Sequence, residues 1–278
     1  MTYIIDGKQI ANDIKNELKT RVSHMEQKPC LAVIQVGNDV ASSVYVKNKK
    51  QACSYIGIDT LSYSLPKTIS QEKLLSLISN LSNNPNVNGI LVQLPLPSHI
   101  DQNVIISAIS PLKDVDAFHP QNIGALYIGK PNLVNCTPAG IIELLKRSGI
   151  TIEGKECVVM GRSNIVGKPM ATLLLQENGT VTICHSRTKN IREVTKRADI
   201  LIVAIGKPEL VDDTYVKEGA VVIDVGIHRR EDGKLCGDVQ YEKVKPLASA
   251  ITPVPGGVGP MTIAMLMQNC VTAFEKQI

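Results

Sequence analysis

The sequence predicts an α/β fold made of two blocks, each a parallel sheet covered by helices. Short, continuously apolar runs recur along the chain, and amphipathic helical stretches separate them. Strands that are apolar on both faces are typical of parallel sheets, whose crossover helices cover both sides. A chain of 278 residues is also long enough for two domains.

The first block opens with a helical repeat near residues 7–26, in which Ile10, Ile14, Leu18 and Val22 share one face. A second clear helix covers residues 70–83. There Ser70 can cap the N-terminus, and an apolar stripe of leucine and isoleucine follows. The predicted strands of this block cover residues 31–36, 60–65 and 89–94.

The second block alternates strands and helices in the same way, and a helix from Thr137 to Arg147 connects it to the first block. Beyond its last strand, Asp232-Gly233 lies between short polar runs, which is a strong hairpin signal. A final amphipathic helix is predicted over residues 261–276. The predicted strands of this block cover residues 157–160, 181–185, 200–205 and 220–225.

The first strand of the second block leads into a glycine-containing turn, and the segment reads KECVVMGRSNIVGKPMATLLLQENGTVTICHS. Gly161 and Gly167 lie where a backbone must approach a pyrophosphate, and the following helix presents N–H groups and a partial positive charge. The spacing is not G-x-G-x-x-G, and a glycine required only for a tight turn is an alternative. The segment has the outline of a dinucleotide site.

The end of the second strand in this segment indicates which dinucleotide would bind. An NAD-preferring site places Asp or Glu there to bind the ribose 2′-hydroxyl, whereas this chain has Ser186 and Arg187. An arginine suits a 2′-phosphate. The sequence therefore predicts NADP as the cofactor.

Composition excludes several other classes of function. The net charge is only +4, and aromatic residues make up 3% with no Trp, so a nucleic-acid partner is not expected. The seven cysteines are scattered without C-x-x-C, which is typical of free thiols in the reducing cytoplasm. The five histidines lack metal-ligand spacing, and no apolar stretch predicts a signal peptide or membrane span.

A lysine on an apolar helix face is the first candidate for chemistry. If Ser42 or Ser43 caps the helix, Tyr45 and Lys49 lie on one stripe with apolar residues. Lys49 could extend along the core edge with its ammonium in water. Alternatively, it is a desolvated lysine that carries protons near neutral pH, and Tyr45 stacks on a planar ligand or orients the amine.

Two further segments place polar groups where a ligand would bind. Gln93 is the single amide of an apolar strand, so it satisfies a loop backbone or holds Lys49 or a substrate. Asp114 and Asp116 follow the first block, where either could bind a ligand or simply cap a turn. Near the end, TPVPGGVGPMT forms a constrained loop before the last helix, whose N-terminus suits an anionic or carbonyl-bearing ligand.

Together these motifs resemble one family, the bifunctional methylenetetrahydrofolate dehydrogenase/cyclohydrolases. The resemblance covers almost the whole chain in the family's order, from YVKNKKQACSYIGI through GILVQLPLP, KDVDAFHP, CTPAG, GRSNIVGKP, CHSRT, ADILIVAIGKP and VVIDVGIHR to TPVPGGVGPMT. It implies two α/β domains flanking a cleft, the second a Rossmann-type dinucleotide-binding domain, and a homodimer. The implied domains are residues 1–118 plus 259–278 for folate and catalysis, and 119–258 for NADP.

The resemblance also implies roles for individual residues. Lys49 is similar to the family's cyclohydrolase acid/base, Tyr45 and Gln93 to its companions, and Asp116 to the carboxylate that binds the pterin. This chain departs from the family at two positions: it has Ala117 where the family commonly has Gly, and Asn135 where the family commonly has Pro. Alanine restricts the backbone more than glycine does. Further substrate contacts are expected at Pro255, Gly256 and Gly257. Cofactor contacts are expected at Gly161, Arg162, Ser163, Ser186, Arg187 and Ile227.

The implied reactions use these groups differently. Hydride transfer from the folate methylene carbon to NADP needs mainly positioning. Hydrolysis of the resulting methenyl group to 10-formyltetrahydrofolate needs a proton carrier, for which Lys49 is the candidate. A monofunctional dehydrogenase and a non-catalytic NADP-binding regulator are alternatives, and the presence of Lys49 and Gln93 argues against both.

Overall fold

A computed structural model describes the backbone of all 278 residues and the side chains of all except residues 40–42. The chain divides into two compact units. We call Asp13–Cys136 with Ile263–Ile278 the three-stranded unit, and Met1–Asn12 with Thr137–Thr262 the six-stranded unit. The sequence placed residues 1–12 with the first block. In the structure they lie in the six-stranded unit, where Tyr3–Ile4 pairs with Ala250–Ile251. The implied boundaries differ in two further places, since residues 119–136 lie in the three-stranded unit and residues 259–262 in the six-stranded unit.

The three-stranded unit has a parallel sheet in the order β3-β2-β4. The strands are β2 (Cys30–Val36), β3 (Asp59–Leu65) and β4 (Gly89–Val92). The helices are most of α1 (Gly7–Ser23), α2 (Val40–Ile56), α3 (Gln71–Asn83), α4 (Gln102–Ala108) and α5 (Pro120–Tyr127), followed by the C-terminal part of α10 (Val258–Glu275).

Local sequence explains most of these elements, with two corrections. Ser70 caps α3 as predicted, because its side chain accepts the Lys73 N–H. The helix α2 begins at Val40, so Ser43 lies inside it and is not a cap; its hydroxyl donates to the Asp39 carbonyl oxygen over 2.8 Å. The side chain of Ser42, the other predicted cap, lies outside the described residues. The strand β4 ends at Val92, since the prolines after Gln93 have no N–H to continue the ladder.

The six-stranded unit contains a parallel sheet in the order β1-β11-β8-β7-β5-β6. A separate hairpin pairs β9 with β10, which confirms the turn predicted at Asp232-Gly233. The strands are β1 (Tyr3–Ile4), β5 (Glu156–Met160), β6 (Thr180–Cys184), β7 (Ile200–Val203), β8 (Val221–Asp224), β9 (His228–Arg229), β10 (Leu235–Cys236) and β11 (Ala250–Ile251). The helices include α6 (Cys136–Arg147), α7 (Gly167–Gln176), α8 (Ile191–Thr195) and α9 (Tyr241–Val244).

The order of the six-stranded sheet fixes where a ligand can bind. From β5 the chain moves outward to β6 and then returns to the other side of β5 as β7. Loops that leave β5 and β7 therefore diverge at the carboxyl ends of these strands. Such a switch point is where open α/β sheets bind their ligands.

None of the described helices combines the length and the apolar composition that a membrane crossing requires. In the same described residues, His, Cys, Asp and Glu side chains do not assemble into a group of three that could hold a metal ion.

Candidate active site

Lys49 is a buried lysine of the three-stranded unit. The residue is only 6% exposed, and its Nζ donates to Gln93 Oε1 over 3.0 Å. Tyr45 lies one helical turn earlier on the same face of α2. The alternative in which Lys49 extends its ammonium into water is therefore wrong for this chain.

Gln93 is oriented by the edge of the sheet. Its backbone N–H donates to the Ile34 carbonyl oxygen of β2 over 2.9 Å, and its side-chain Nε2 donates to the Leu94 carbonyl oxygen over 2.8 Å. The Nε2 bond turns Oε1 towards Lys49. Gln93 thus lies one residue beyond the carboxyl end of β4, and it both bonds a loop carbonyl oxygen and holds Lys49, which were two of the alternatives that the sequence left open.

Asp116 completes a charged cluster with Lys49. Burial raises the pKa of Asp116, and the nearby Lys49 ammonium opposes part of this rise. Burial also raises the pKa of the Tyr45 hydroxyl, which therefore stays protonated at neutral pH. Lys49 thus has the Gln93 amide oxygen within hydrogen-bond distance and the Asp116 carboxylate close enough to interact with its charge.

Asp114 has a different surrounding from Asp116. It is 2% exposed, and its Oδ2 accepts hydrogen bonds from the His119 N–H over 2.7 Å and from Asn122 Nδ2 over 3.0 Å. Burial raises the pKa of Asp114 to about 6, while these hydrogen bonds oppose the rise. Asp114 thus organises the loop before α5, which is the turn-capping alternative that the sequence left open.

Sequence reasoning missed the buried asparagines around this loop. Asn269 donates from Nδ2 to the Val115 carbonyl oxygen over 2.8 Å, and Asn135 donates to the Ala117 carbonyl oxygen over 2.9 Å. Asn135 was visible in the sequence only as a departure from the family's common Pro, and Asn269 carried no signal, because both hydrogen bonds join residues that are distant in sequence.

The predicted dinucleotide turn lies at the switch point of the six-stranded unit. Gly161 directly follows β5 and has φ +121°, a conformation that disfavours any side chain. A Cβ on Gly161 would overlap the Ala204 carbonyl oxygen after β7, and one on Gly167 would overlap the Gly161 carbonyl oxygen. These glycines allow the turn, the first residues of α7 and the loop after β7 to pack closely.

The donors at the start of α7 differ from the prediction. The Val166 and Gly167 N–H groups donate to Ser163 Oγ over 3.1 and 3.4 Å, and the Lys168 N–H donates to the Ser163 carbonyl oxygen. These groups are therefore satisfied within the chain. Ser163 Oγ accepts these two N–H groups, so its own hydroxyl hydrogen can still be donated to a further acceptor such as a phosphate oxygen. The Ser163 hydroxyl is thus one donor that this turn offers to an anionic cofactor.

Positively charged side chains lie in this turn and after the neighbouring strand β6. Arg162 is exposed in the turn, and Ser186 and Arg187 are exposed after β6, which pairs with β5 up to Met160 and Cys184. The Arg187 N–H donates to His185 Nδ1 over 3.1 Å and so fixes the backbone there. Two exposed guanidinium groups at neighbouring strand ends suit a 2′-phosphate.

A buried carboxylate organises the other side of this edge. Asp238 accepts the N–H groups of Ile205, Gly206 and Lys207 over 2.8 to 3.0 Å, and His228 Nε2 lies 2.8 Å from its second oxygen atom. Ile227 is exposed in the loop that leads from β8 to His228. Asp238 lies two residues after β10, and no local sequence pattern predicts its role.

The loop before α10 has a constrained shape. Gly256 has φ +108°, and a Cβ on the neighbouring Gly257 would overlap the backbone of Pro253. Pro255 is exposed, and the helix starts immediately afterwards at Val258. The loop thus presents the N-terminus of a long helix, as the sequence predicts.

Comparison with known proteins assigns both units. The model of the tetrahydrofolate dehydrogenase/cyclohydrolase catalytic domain matches residues 5–116, and that of the NAD(P)-binding domain of the same family matches residues 135–278. The chain belongs to the tetrahydrofolate dehydrogenase/cyclohydrolase family. Its predicted family resemblance is thereby confirmed.

Relatives in this family match over the full length. The chain is 64% identical to the Bifunctional protein FolD of Lachnoclostridium phytofermentans, with 99% of each chain covered. It also matches the crystal structure of the FolD methylenetetrahydrofolate dehydrogenase/cyclohydrolase from Campylobacter jejuni at 48% identity, with a TM-score of 0.98 and 100% of both chains covered. The crystal structure of the Trypanosoma brucei FolD with NADP cofactor and an inhibitor matches at 39% identity and a TM-score of 0.94. The match covers 99% of this chain and 98% of the Trypanosoma brucei chain.

Proposed function

We propose that this chain is a bifunctional folate enzyme that oxidises 5,10-methylenetetrahydrofolate with NADP and then hydrolyses the methenyl product to 10-formyltetrahydrofolate. The observation that carries this proposal is the buried Lys49–Gln93 pair beside Asp116, in a chain of the tetrahydrofolate dehydrogenase/cyclohydrolase family. A hydrolytic step needs a positioned proton carrier, and a dehydrogenase alone would not need this lysine.

In the dehydrogenase step the protein mainly positions the reactants. NADP, when bound, accepts a hydride from the folate methylene carbon. The turn at Gly161 and Ser163 would hold its pyrophosphate, while Arg162, Ser186 and Arg187 would bind the 2′-phosphate. Ile227 would pack against the cofactor. The glycine-packed switch point and the Ser163 hydroxyl support this placement.

In the cyclohydrolase step the protein moves protons. Water attacks the methenyl carbon, which is already an activated cation, and the tetrahedral adduct opens when a ring nitrogen is protonated. Lys49 Nζ would exchange these protons. Gln93 Oε1, which accepts a hydrogen bond from Nζ, would orient the amine. The Tyr45 hydroxyl, which stays protonated, would donate a hydrogen bond to the substrate.

Substrate binding is assigned to two places. Asp116 would accept hydrogen bonds from the amino and ring N–H groups of the pterin, which are strong because they are charge-assisted. Pro255, Gly256 and Gly257 would provide backbone contacts before α10. The constrained backbone of Gly256 supports a fixed surface there.

One assay tests the proposed function. The chain is supplied with methylenetetrahydrofolate and NADP, and reduced nicotinamide and the methenyl chromophore are followed separately. We expect reduced nicotinamide to accumulate, while the chromophore rises and then decays. A chromophore that decays no faster than free methenyltetrahydrofolate would identify a monofunctional dehydrogenase, and the absence of both signals would identify a non-catalytic NADP binder.

We further propose that the protein acts in the cytoplasm as a homodimer. All seven cysteines are free thiols and six are buried, which supports a reducing compartment. The dimer follows from the family resemblance, and analytical ultracentrifugation tests it through the mass of the species in solution.

A further inference from the structure

We propose that Asn135 is a positioning residue for the folate site. Its side-chain amide fixes the backbone of Ala117 in a left-handed conformation, and this conformation holds the Asp116 carboxylate beside Lys49. The inference rests on the proposed role of Asp116 as a substrate contact.

The turn that carries Asp116 has an unusual backbone. The Ala117 N–H donates to the Asp114 carbonyl oxygen over 2.9 Å, so Asp116 is the third residue of a closed turn. Ala117 leaves this turn with φ +57°. Alanine disfavours that region because its Cβ approaches the carbonyl oxygen, and surrounding contacts must therefore maintain the conformation.

Asn135 provides such a contact. Its Nδ2 donates to the Ala117 carbonyl oxygen over 2.9 Å, and both residues are only 1% exposed. Water cannot readily replace a hydrogen bond at this depth, so loss of the amide would leave the carbonyl unpaired. With both its N–H and its carbonyl group bonded, Ala117 cannot rotate to an ordinary φ without breaking a buried hydrogen bond.

A second asparagine supports the other side of Asp116. Asn269 donates from Nδ2 to the Val115 carbonyl oxygen over 2.8 Å and to the Val134 carbonyl oxygen over 2.7 Å. The carbonyl groups before and after Asp116 are thus each bound by a buried amide. Of these two amides, only that of Asn135 bonds the strained residue itself.

The test is a rescue experiment. We expect Asn135→Ala to raise the KM for methylenetetrahydrofolate about fivefold to tenfold, which corresponds to loss of one hydrogen bond. The KM for NADP and the kcat at saturating folate should change less than about twofold. Glycine accepts positive φ without strain, so Asn135→Ala in an Ala117→Gly background should have a folate KM within about twofold of Ala117→Gly alone.

A matched control separates positioning from general destabilisation. Asn88 is another buried asparagine of the three-stranded unit, but its Oδ1 accepts the Cys30 N–H of β2 over 2.9 Å. Asn88→Ala should lower the melting temperature and leave the folate KM unchanged. A similar rise in KM for Asn88→Ala and Asn135→Ala would overturn the proposal.

Two further outcomes are decisive. If Asn135→Ala folds only in the Ala117→Gly background, the comparison of Ala117→Gly with the double variant still applies, and a fivefold or larger difference in folate KM would overturn the positioning role. If the double variant also fails to fold, the rescue has failed and the positioning role is overturned. If Asp116→Ala leaves the folate KM unchanged, the proposed role of Asp116 fails, and the inference about Asn135 fails with it. If Asp116→Ala raises the folate KM but Ala117→Gly does not rescue Asn135→Ala, the inference about Asn135 is overturned and the proposed role of Asp116 stands.

Discussion

At the scale of single residues, the Lys49 ammonium lies near enough to the Asp116 carboxylate to interact with its charge. Burial makes each charge costly unless an opposite charge or a hydrogen bond compensates for it. Here Gln93 accepts from Lys49, and the Lys49 charge opposes the rise that burial causes in the pKa of Asp116. A substrate that hydrogen-bonds Asp116 would therefore enter a site whose charges are already arranged.

The first prediction concerns Asp116. We expect Asp116→Ala to weaken folate binding by roughly 1.5 to 3 kcal/mol, because charge-assisted hydrogen bonds to the pterin are lost. Both reactions should be affected through folate binding, whereas NADP binding should not change. Isothermal titration calorimetry measures the two affinities, and an unchanged folate affinity would place the pterin contact elsewhere.

The second prediction concerns Arg162 and Arg187. If either guanidinium pairs with the 2′-phosphate, its replacement by alanine should reduce the preference for NADP over NAD about tenfold to hundredfold in kcat/KM. The exposed Arg197, which lies 3.8 Å from Glu156 in the same unit, provides the control Arg197→Ala. A wild-type enzyme that prefers NAD would contradict the assignment before any variant is made.

Two residue-level features show how far sequence alone can reach. Ala117 and Asn135 are visible as departures from the family's common residues, but their hydrogen bond joins residues that are distant in sequence. Asp114 and Asp116 look equivalent in the sequence, and only their surroundings distinguish the loop-organising carboxylate from the one beside Lys49.

At the scale of elements, the long strands and helices follow from apolar periodicity, whereas β1 and β11 do not. Each of these strands has only two residues, so no alternation could predict them. The helix α4 was also missed, although Asp101 caps it by accepting the Asn103 and Val104 N–H groups. Short elements depend on tertiary pairing more than on their own sequence.

The third prediction concerns the loop after β7. Asp238→Asn removes an acceptor from a buried site with three backbone N–H donors and His228, so the loop at 205–207 should lose its fixed shape. Because this loop lies at the switch point, we expect the KM for NADP to rise at least about tenfold. Asp212→Asn, which alters only the cap of a short turn at 213–215, is the control. An unchanged KM would show that the loop does not contact the cofactor.

The fourth prediction concerns pH and Asp114. The folded pKa of about 6 exceeds the ~3.9 of an unfolded aspartate, so the stabilising contribution of this group is present below about pH 4 and is lost as the pH rises through about 6. Asn cannot ionise, so Asp114→Asn does not lose this contribution as the pH rises. The free energy of unfolding of the variant minus that of the wild type should therefore increase by about 2 to 3 kcal/mol from about pH 4 to pH 7.5. Urea unfolding across this range measures the difference. Two parallel stability curves would contradict the prediction.

At the scale of the whole molecule, the sequence predicted two α/β parts, and both were found. The division of the chain was harder to predict, because α1 and α10 each continue from one unit into the other and carry no break in composition. Pairing of β1 with β11 also joins residues from opposite ends of the sequence. Such long-range pairings leave no local signal.

The central claim is that one chain performs two reactions and that Lys49 serves only the second. Lys49→Met keeps the apolar stem but removes the proton carrier, and Lys47→Met, on the exposed side of the same helix, is the matched control. The decisive measurement is the ratio of cyclohydrolase to dehydrogenase rate in both variants at saturating folate and NADP. We expect this ratio to fall at least about 100-fold in Lys49→Met and to stay unchanged in Lys47→Met. An equal loss of both activities in a folded Lys49→Met protein would contradict the claim and would show that Lys49 positions the folate for both steps.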